Sequence, residues 1–215
     1  MPSNILISIL GTKLDNRGFG NKRHDRWRPN VAITMHEDFP IDELILLYHH
    51  EHQDIANLVQ KDIAAASPST KVTTLYFDHE DPWDFEQVYG ELHDMMKQIA
   101  FDPEENDYYT HITTGTHVAQ ICLYLLTEAN YIPGKLLQTG PSKDGAQGNY
   151  QIIDLDLSRY DQIASRFAKE AQEGVAHLKD GIDTRNARFN KMMEQLEQVS
   201  VRSKAPILLT GPTGA

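Results

Sequence analysis

Two stretches of this sequence carry residue types and spacings suited to holding phosphate. Gly211-Pro-Thr-Gly-Ala215 supplies the opening of a nucleotide-binding loop, G-x-x-x-x-G-K-[ST], in which Gly211 and Gly214 would let backbone N–H groups approach the phosphates. The lysine and hydroxyl residue that would hold the β/γ-phosphates and magnesium are expected beyond Ala215. Pro206-Ile-Leu-Leu-Thr210 reads as the buried strand such a loop needs. The expectation is a motor module that starts at 205 and runs past this sequence, so that ATP and magnesium belong to a longer parent. An ordinary turn gives the same glycine spacing. The second stretch is Thr113-Thr-Gly-Thr-His117, where hydroxyls and a glycine precede an apolar helical run. Backbone N–H groups, the positive end of the helix dipole and hydroxyl donors converge at such a turn. Thr113, Thr114 and Thr116 are also good capping residues.

Charge points to a second half of the same site. The net charge is −11, which argues against general binding to nucleic acid or an anionic membrane. Between Lys13 and Arg28, however, Lys13, Arg17, Lys22, Arg23, Arg26 and Arg28 outweigh Asp15 and Asp25, a local +4 on a remainder of −15. A basic island on an acidic body suits one localised anionic ligand. The island begins in Gly11-Thr-Lys-Leu-Asp-Asn16, so Gly11, Thr12, Lys13, Asp15, Asn16 and Arg17 join Thr113, Thr114, Gly115, Thr116 and His117 as candidate ligand-binding residues.

Two further clusters attract attention. His49-His-Glu-His52 has the composition of a metal site, but it reads as the end of a strand. Adjacent strand residues point to opposite faces, and no partner cluster has ligand spacing, so no metal is expected. Asp154 and Asp156 share a strand face as catalytic carboxylates do, although an outward polar face explains that alternation. No nucleophile elbow, reactive-cysteine context or G-x-G-x-x-G is present, and no catalytic residue is assigned.

The elements that must position these residues follow from periodicity. Ile5–Leu10 and Leu44–Tyr48 are continuous apolar runs, as in strands covered on both faces. Helical spacing of Ile55, Leu58, Val59 and Ile63 ends at Ser67-Pro68. A third strand is expected over Val72–Phe77, then a helix opened by Asp81-Pro82 with Phe85, Val88, Leu92 and Met96 on its apolar face. A fourth strand, Tyr108–Thr113, leads into a helix over Thr116–Asn130. A fifth strand, Lys135–Thr139, is followed by a glycine-rich turn at Gly145–Gly148 and a last strand ending at Leu157. Short strand–helix alternation predicts an α/β fold: a Rossmann-like, open, mainly parallel sheet with helices on both faces, in residues 1–158. Strands one and four then flank the switch point where ligands bind. Residues 159–204 read as a helical linker. Its stripes are Ile163, Phe167, Ala171, Val175 and then Phe189, Met192, Met193, Leu196, Val199, the second close to a coiled-coil seam. The single cysteine, Cys122, excludes an internal disulfide and fits a cytoplasmic location as an inert core residue. The first apolar run has no basic residue before it, so it is not a signal peptide, and no run is long enough to span a bilayer.

Ile5-Leu-Ile-Ser-Ile-Leu-Gly-Thr12 and His111-Ile-Thr-Thr-Gly-Thr-His117 resemble the ligand-binding signatures of CARF domains, sensor modules that dimerise and bind cyclic or linear oligonucleotides. With the distal Pro-Ile-Leu-Leu-Thr-Gly-Pro-Thr-Gly-Ala, the chain resembles the RtcR family of sigma-54-dependent activators of RNA repair operons, which encode an RNA ligase and an RNA 3′-terminal phosphate cyclase. The resemblance implies a CARF sensor, a helical linker, and the first strand of an AAA+ domain over 205–215. It places ligand contacts on Gly11, Thr12, Lys13, Asp15, Asn16, Thr114, Gly115, Thr116 and His117. It implies partners: a second copy of the chain, an RNA end with a phosphate or cyclic phosphate (or an oligonucleotide), and, for the parent, sigma-54 RNA polymerase and promoter DNA. Thr-Gly-Thr-His departs from the further glycine or small polar residue of many CARF domains, and His117 would partly fill the site. A metal-independent nuclease cleaving a cyclic oligonucleotide is the alternative, and a dimerisation module without ligand is the third possibility.

Overall fold

The apolar runs nearest the N-terminus pair at the centre of a sheet, since a strand covered on both faces has no side that needs polar residues. β1 (Ser3–Ile9) and β2 (Glu43–Tyr48) run in parallel with Ile7 opposite Ile45. Their side chains alternate: Leu6, Leu44 and Leu46 enter one core, and Ile7, Ile9, Ile45 and Leu47 enter the other. The computed structural model describes residues 2–18, 20–143, 145–154 and 190–192. Its further strands are β3 (Lys71–Tyr76), β4 (Asn106–His111), β5 (Lys135–Ser142) and β6 (Gly145–Ile153). The sheet order is β3-β2-β1-β4-β5-β6, parallel except for the antiparallel β6. The winding therefore reverses between β1 and β4, as expected from the alternation of elements.

Helices cover both faces. The short α1 (Pro29–Ala32) and α2 (Gln53–Ala66) pack on one, through Val31, Ala56, Val59 and Ile63. On the other lie α3 (Phe85–Gln98) and α4 (His117–Glu128), through Val88, Leu92, Met96, Leu123 and Leu126. Each aliphatic side chain fully buried this way contributes roughly 1.5–3 kcal/mol. Cys122 is free and buried in the second core, where burial pushes its thiol up to about 11.

Three expectations need correction. The helix α3 starts one turn later than Asp81-Pro82. Asp81 closes a local turn by accepting from the Trp83 N–H at 2.9 Å, and Asp84 is the cap, accepting from Glu86 and Gln87 at 2.9 and 3.1 Å. Gly145–Gly148 lies inside β6, not in a turn. Gly148 has φ +69°, and a Cβ there would clash with the Gly140 carbonyl and with Trp27, so glycine lets the edge strand pass close to its neighbour. The last strand ends at Ile153; Asp154 follows it, while Asp156 and Leu157 lie outside the described residues. Residues Met1–Leu155 form one unit. Beyond it, Asn190, Lys191 and Met192 are helical, with Met192 exposed, and the rest of the linker and the Gly211/Gly214 stretch lie outside the described residues.

Candidate functional site

A cleft of ≈ 790 Å³ opens at the carboxyl ends of the central strands. One wall comes from the loop after β1 (Gly11, Thr12, Lys13, Leu14) and the turn after β4 (Thr113–His117). The other comes from the segments after β2 and β3, including His49, His50, His52, His79 and Trp83.

The first wall rests on a buried polar network. Asp15 is fully enclosed and accepts from Gly11 N at 2.8 Å, Asn30 N at 3.0 Å and Asn30 Nδ2 at 2.6 Å. Burial pushes its carboxyl up, against the pull of these donors and of Arg28. Asn30 also donates to the Ile9 carbonyl at 3.1 Å and accepts from the Ser8 hydroxyl. Because Ser8 has one hydrogen and gives it to Asn30, its oxygen accepts from His111 Nδ1 at 2.9 Å; His111 Nε2 then accepts from Thr139 Oγ1, also at 2.9 Å. That assignment needs a neutral ring, and burial does hold the His111 imidazole at about 3. Thr139 N donates to Thr113 Oγ1 at 2.7 Å, and Thr114 Oγ1 donates to the Ile9 carbonyl. A hydrogen-bonded chain thus runs beneath the sheet end from the first loop to β5, and it fixes both cleft-lining turns.

Gly115 turns the chain with φ +86°, a region β-substituted residues avoid, and Thr116 then caps α4. Its hydroxyl accepts from Ala119 N at 3.1 Å and donates its one hydrogen to the Pro82 carbonyl at 3.0 Å, tying α4 to the segment before α3. The N–H groups of His117 and Val118 have no intrahelical acceptor, as at every helix start, and His117 lines the cleft.

The candidate residues therefore separate into four groups. Thr12, Lys13, Gly115 and His117 are exposed at the cleft, while Gly11, Asp15 and Thr114 are buried and shape the loops. Thr113 and Thr116 line the cleft with their hydroxyls already paired. Asn16 and Arg17 are exposed but do not line it. The basic island does not converge as a whole. Arg28 is buried and, with Arg23, pairs with Asp62, Arg23 Nε at 2.8 Å; Arg28 Nε also donates to the Asp15 carbonyl. Burial opposes ionisation of Asp62, but the hydrogen bonds from Arg23 and Arg28 win and hold its carboxyl below the usual range. Of the six cations only Lys13 lines the cleft.

The opposite wall holds what sequence reasoning set aside: four of the ten histidines, His49, His50, His52 and His79, line it. The alternation argument against His49 and His50 fails because β2 ends at Tyr48. His49 leads instead into a 3-10 turn over His50–His52, and the two rings lie side by side with centroids 4.4 Å apart. Asp78, just past β3, reaches His50 Nδ1 at 3.0 Å and His49 Nε2 at 3.8 Å. The signal available in the sequence was the position of the histidines after the last apolar residue of the strand.

Comparison with known proteins agrees with the fold and narrows the family. The family described as "RtcR: Regulator of RNA terminal phosphate cyclase" matches residues 3–181. The chain is 48% identical over 219 residues to the transcriptional regulatory protein RtcR of Escherichia coli (strain K12), covering all of this chain and 41% of that protein. Among solved structures, Enterococcus italicus Csm6 bound to cyclic hexa-2′-fluoro-hexa-dAMP superposes with a TM-score of 0.53 at 12% identity, over 94% of this chain and 55% of that one. That likeness shows the CARF-type, Rossmann-like arrangement of the sheet. The chain belongs to the RtcR family, regulators of RNA terminal phosphate cyclase.

Proposed function

We propose that this chain is the ligand-sensing part of a sigma-54-dependent transcription activator of RNA repair genes, and that its cleft takes an RNA-derived or nucleotide ligand through a phosphate. The observation that carries the reading is the cleft at the sheet's switch point, lined by the start of α4, Gly115 and the exposed Lys13, in which the hydroxyls of Thr113, Thr114 and Thr116 are already paired. Anions bind where helix-terminal N–H groups and a cation converge. Family membership supports the regulatory role, and a protein of the same fold, Csm6, is solved with a cyclic oligonucleotide. Since the chain spans 41% of its relative, control of an AAA+ module from 205 onward, ATP turnover by the parent, and engagement of sigma-54 polymerase and promoter DNA are parts of the proposal. So are a homodimer and a cytoplasmic location. Exposed Ile121 and Tyr124 on α4 supply apolar surface for a second copy, and among the described residues no helix is long and apolar enough to cross a membrane.

The test is a binding series with one short RNA carrying a 2′,3′-cyclic phosphate, a 3′-phosphate or a 3′-hydroxyl, alongside cyclic oligoadenylates, followed for both affinity and product. Tighter binding of one phosphate-bearing form, with no cleavage, supports a sensor. Turnover without metal would favour the nuclease, and equal or no affinity for every form would remove the sensor reading.

A further inference from the structure

The geometry points to a site for a divalent transition-metal ion of the zinc class on the second wall of the cleft, held by His49, His50 and Asp78. The three side chains each present one ligand atom, and these atoms lie within 4.8 Å of one another. Around a tetrahedral ion with bonds of about 2.0–2.1 Å, ligand atoms stand about 3.3 Å apart. The 3.0 Å from His50 Nδ1 to Asp78 Oδ1 and the 3.8 Å from His49 Nε2 to the same oxygen bracket that value. His50 and Asp78 are more than half and half exposed, so the remaining adjustment falls on side chains free to move. Two imidazoles and a carboxylate suit zinc, cobalt or nickel, whereas magnesium and calcium prefer all-oxygen sets.

The surroundings fit a cation. Asp78 Oδ1 is held in place by the backbone N–H of His50, which donates to it at 2.9 Å. Ligation through His49 Nε2 puts that ring's proton on Nδ1, where the Glu51 carboxylate stands at 3.8 Å, the partner a metal-bound histidine ordinarily has. The long 3.4 Å contact from Glu51 N to Nδ1 is given up in that state. His79 packs its ring 5.4 Å from His49, and its Nδ1 is buried without a hydrogen-bond partner. His49 and His50 line the cleft, so the open coordination positions face it and would accept water or an anionic oxygen. The site stands without the sensor reading, because its test uses no RNA.

Tag-free chain, stripped with chelator, is titrated with Zn²⁺ by calorimetry and with Co²⁺ by visible absorption. The expected result is one ion per chain, with the intense visible bands of a four-coordinate Co²⁺ site. His50→Ala and Asp78→Asn should each weaken binding at least about tenfold, on the magnitude of lost ligand or supporting contacts, while His24→Ala, in the exposed basic loop, leaves it unchanged. Circular dichroism confirms that the variants are folded, and His50→Gln, which keeps a polar side chain beside Asp78, repeats the test if His50→Ala is not. No saturable binding, or binding that survives both His50 and Asp78 substitutions in folded protein, overturns the assignment.

Discussion

The two walls of the cleft are built on opposite plans. On the β1/β4 side the polar side chains are turned inward and satisfy one another: Asp15, Asn30, Ser8 and His111 are all buried, and Thr116 uses both functions of its hydroxyl. What this wall offers a ligand is backbone N–H, one exposed lysine and the exposed side chains of Thr12 and His117. On the β2/β3 side, His50, Glu51 and Asp78 stand in solvent with their chemistry uncommitted beyond short loop ties. A wall of the first kind is rigid before the ligand arrives, so little ordering cost is incurred on binding. A wall of the second kind is free to rearrange around an ion or a ligand. Substitutions should therefore act on stability on the first side and on binding on the second, with Lys13 the exception.

The largest effect is expected where the inward-turned wall meets the basic loop. Asp62→Ala leaves the buried Arg28 guanidinium with a lost partner, and Arg28 already has one buried nitrogen, Nη2, without a hydrogen-bond acceptor. Breaking a buried ion pair on one side costs about 3–5 kcal/mol. Urea unfolding should show that loss. A change below about 1 kcal/mol would mean that the loop relaxes to hydrate Arg28, and the contrast between the walls would fail at its base.

Acid should expose the same contrast. The His111 imidazole is held at about 3, below the 6.5 of an unfolded histidine, so between these values the unfolded chain binds a proton that the folded chain refuses. The contribution of His111 is complete above pH 6.5 and is lost as the pH falls toward 3, with a slope of up to about 1.4 kcal/mol per pH unit. His79, also shifted down, adds in the same direction, whereas Asp62, whose carboxyl is lowered from 3.8, contributes a loss only at more acid pH. Unfolding curves between pH 7 and 4.5 should steepen in this way, and His111→Gln should flatten them. An unchanged slope in that variant would show that the network tolerates a charged ring.

What was legible in the sequence was what local pattern dictates. Continuous apolar runs gave β1 and β2 within two residues at either end, since burial on both faces leaves little freedom in composition. The switch point followed from strand alternation alone. Hidden from the sequence were pairings between distant residues: Asp62, which lies 34 positions from Arg28, takes two cations out of the expected basic island. Likewise Asp78 meets His50 across 28 positions. Periodicity places a residue on a face, but it does not say which loop of another strand folds over it. The start of α3 was misplaced for a local reason, because Asp81 and Asp84 are both plausible caps and only the backbone chooses between them.

Thr116→Val should cost about 1 kcal/mol of stability, within the 0.5–2 kcal/mol range of a lost N-cap, because both the Ala119 bond and the bridge to Pro82 disappear. Affinity per folded molecule for the phosphate-bearing RNA should hardly move, since the hydroxyl hydrogen points to Pro82 and not into the cleft. A drop in affinity of tenfold or more in fully folded protein would show that Thr116 releases Pro82 and turns to the ligand, which would make this turn a moving part.

Lys13→Ala is the mirror image and should have the smallest effect on stability of any change considered. Lys13 is exposed at the cleft rim, and neither its ammonium nor its stem belongs to either hydrophobic core. If it meets a phosphate of single-stranded RNA, its removal releases one fewer counterion on binding, and the slope of log affinity against log salt should fall by about 0.7. The wild-type and variant curves should converge at high salt, where that contribution is screened. The unfolding midpoint should stay within error throughout. A parallel shift of the two curves, with no change of slope, would mean that Lys13 touches the ligand through something other than a phosphate, and the anionic reading of the first wall would then rest on the start of α4 alone.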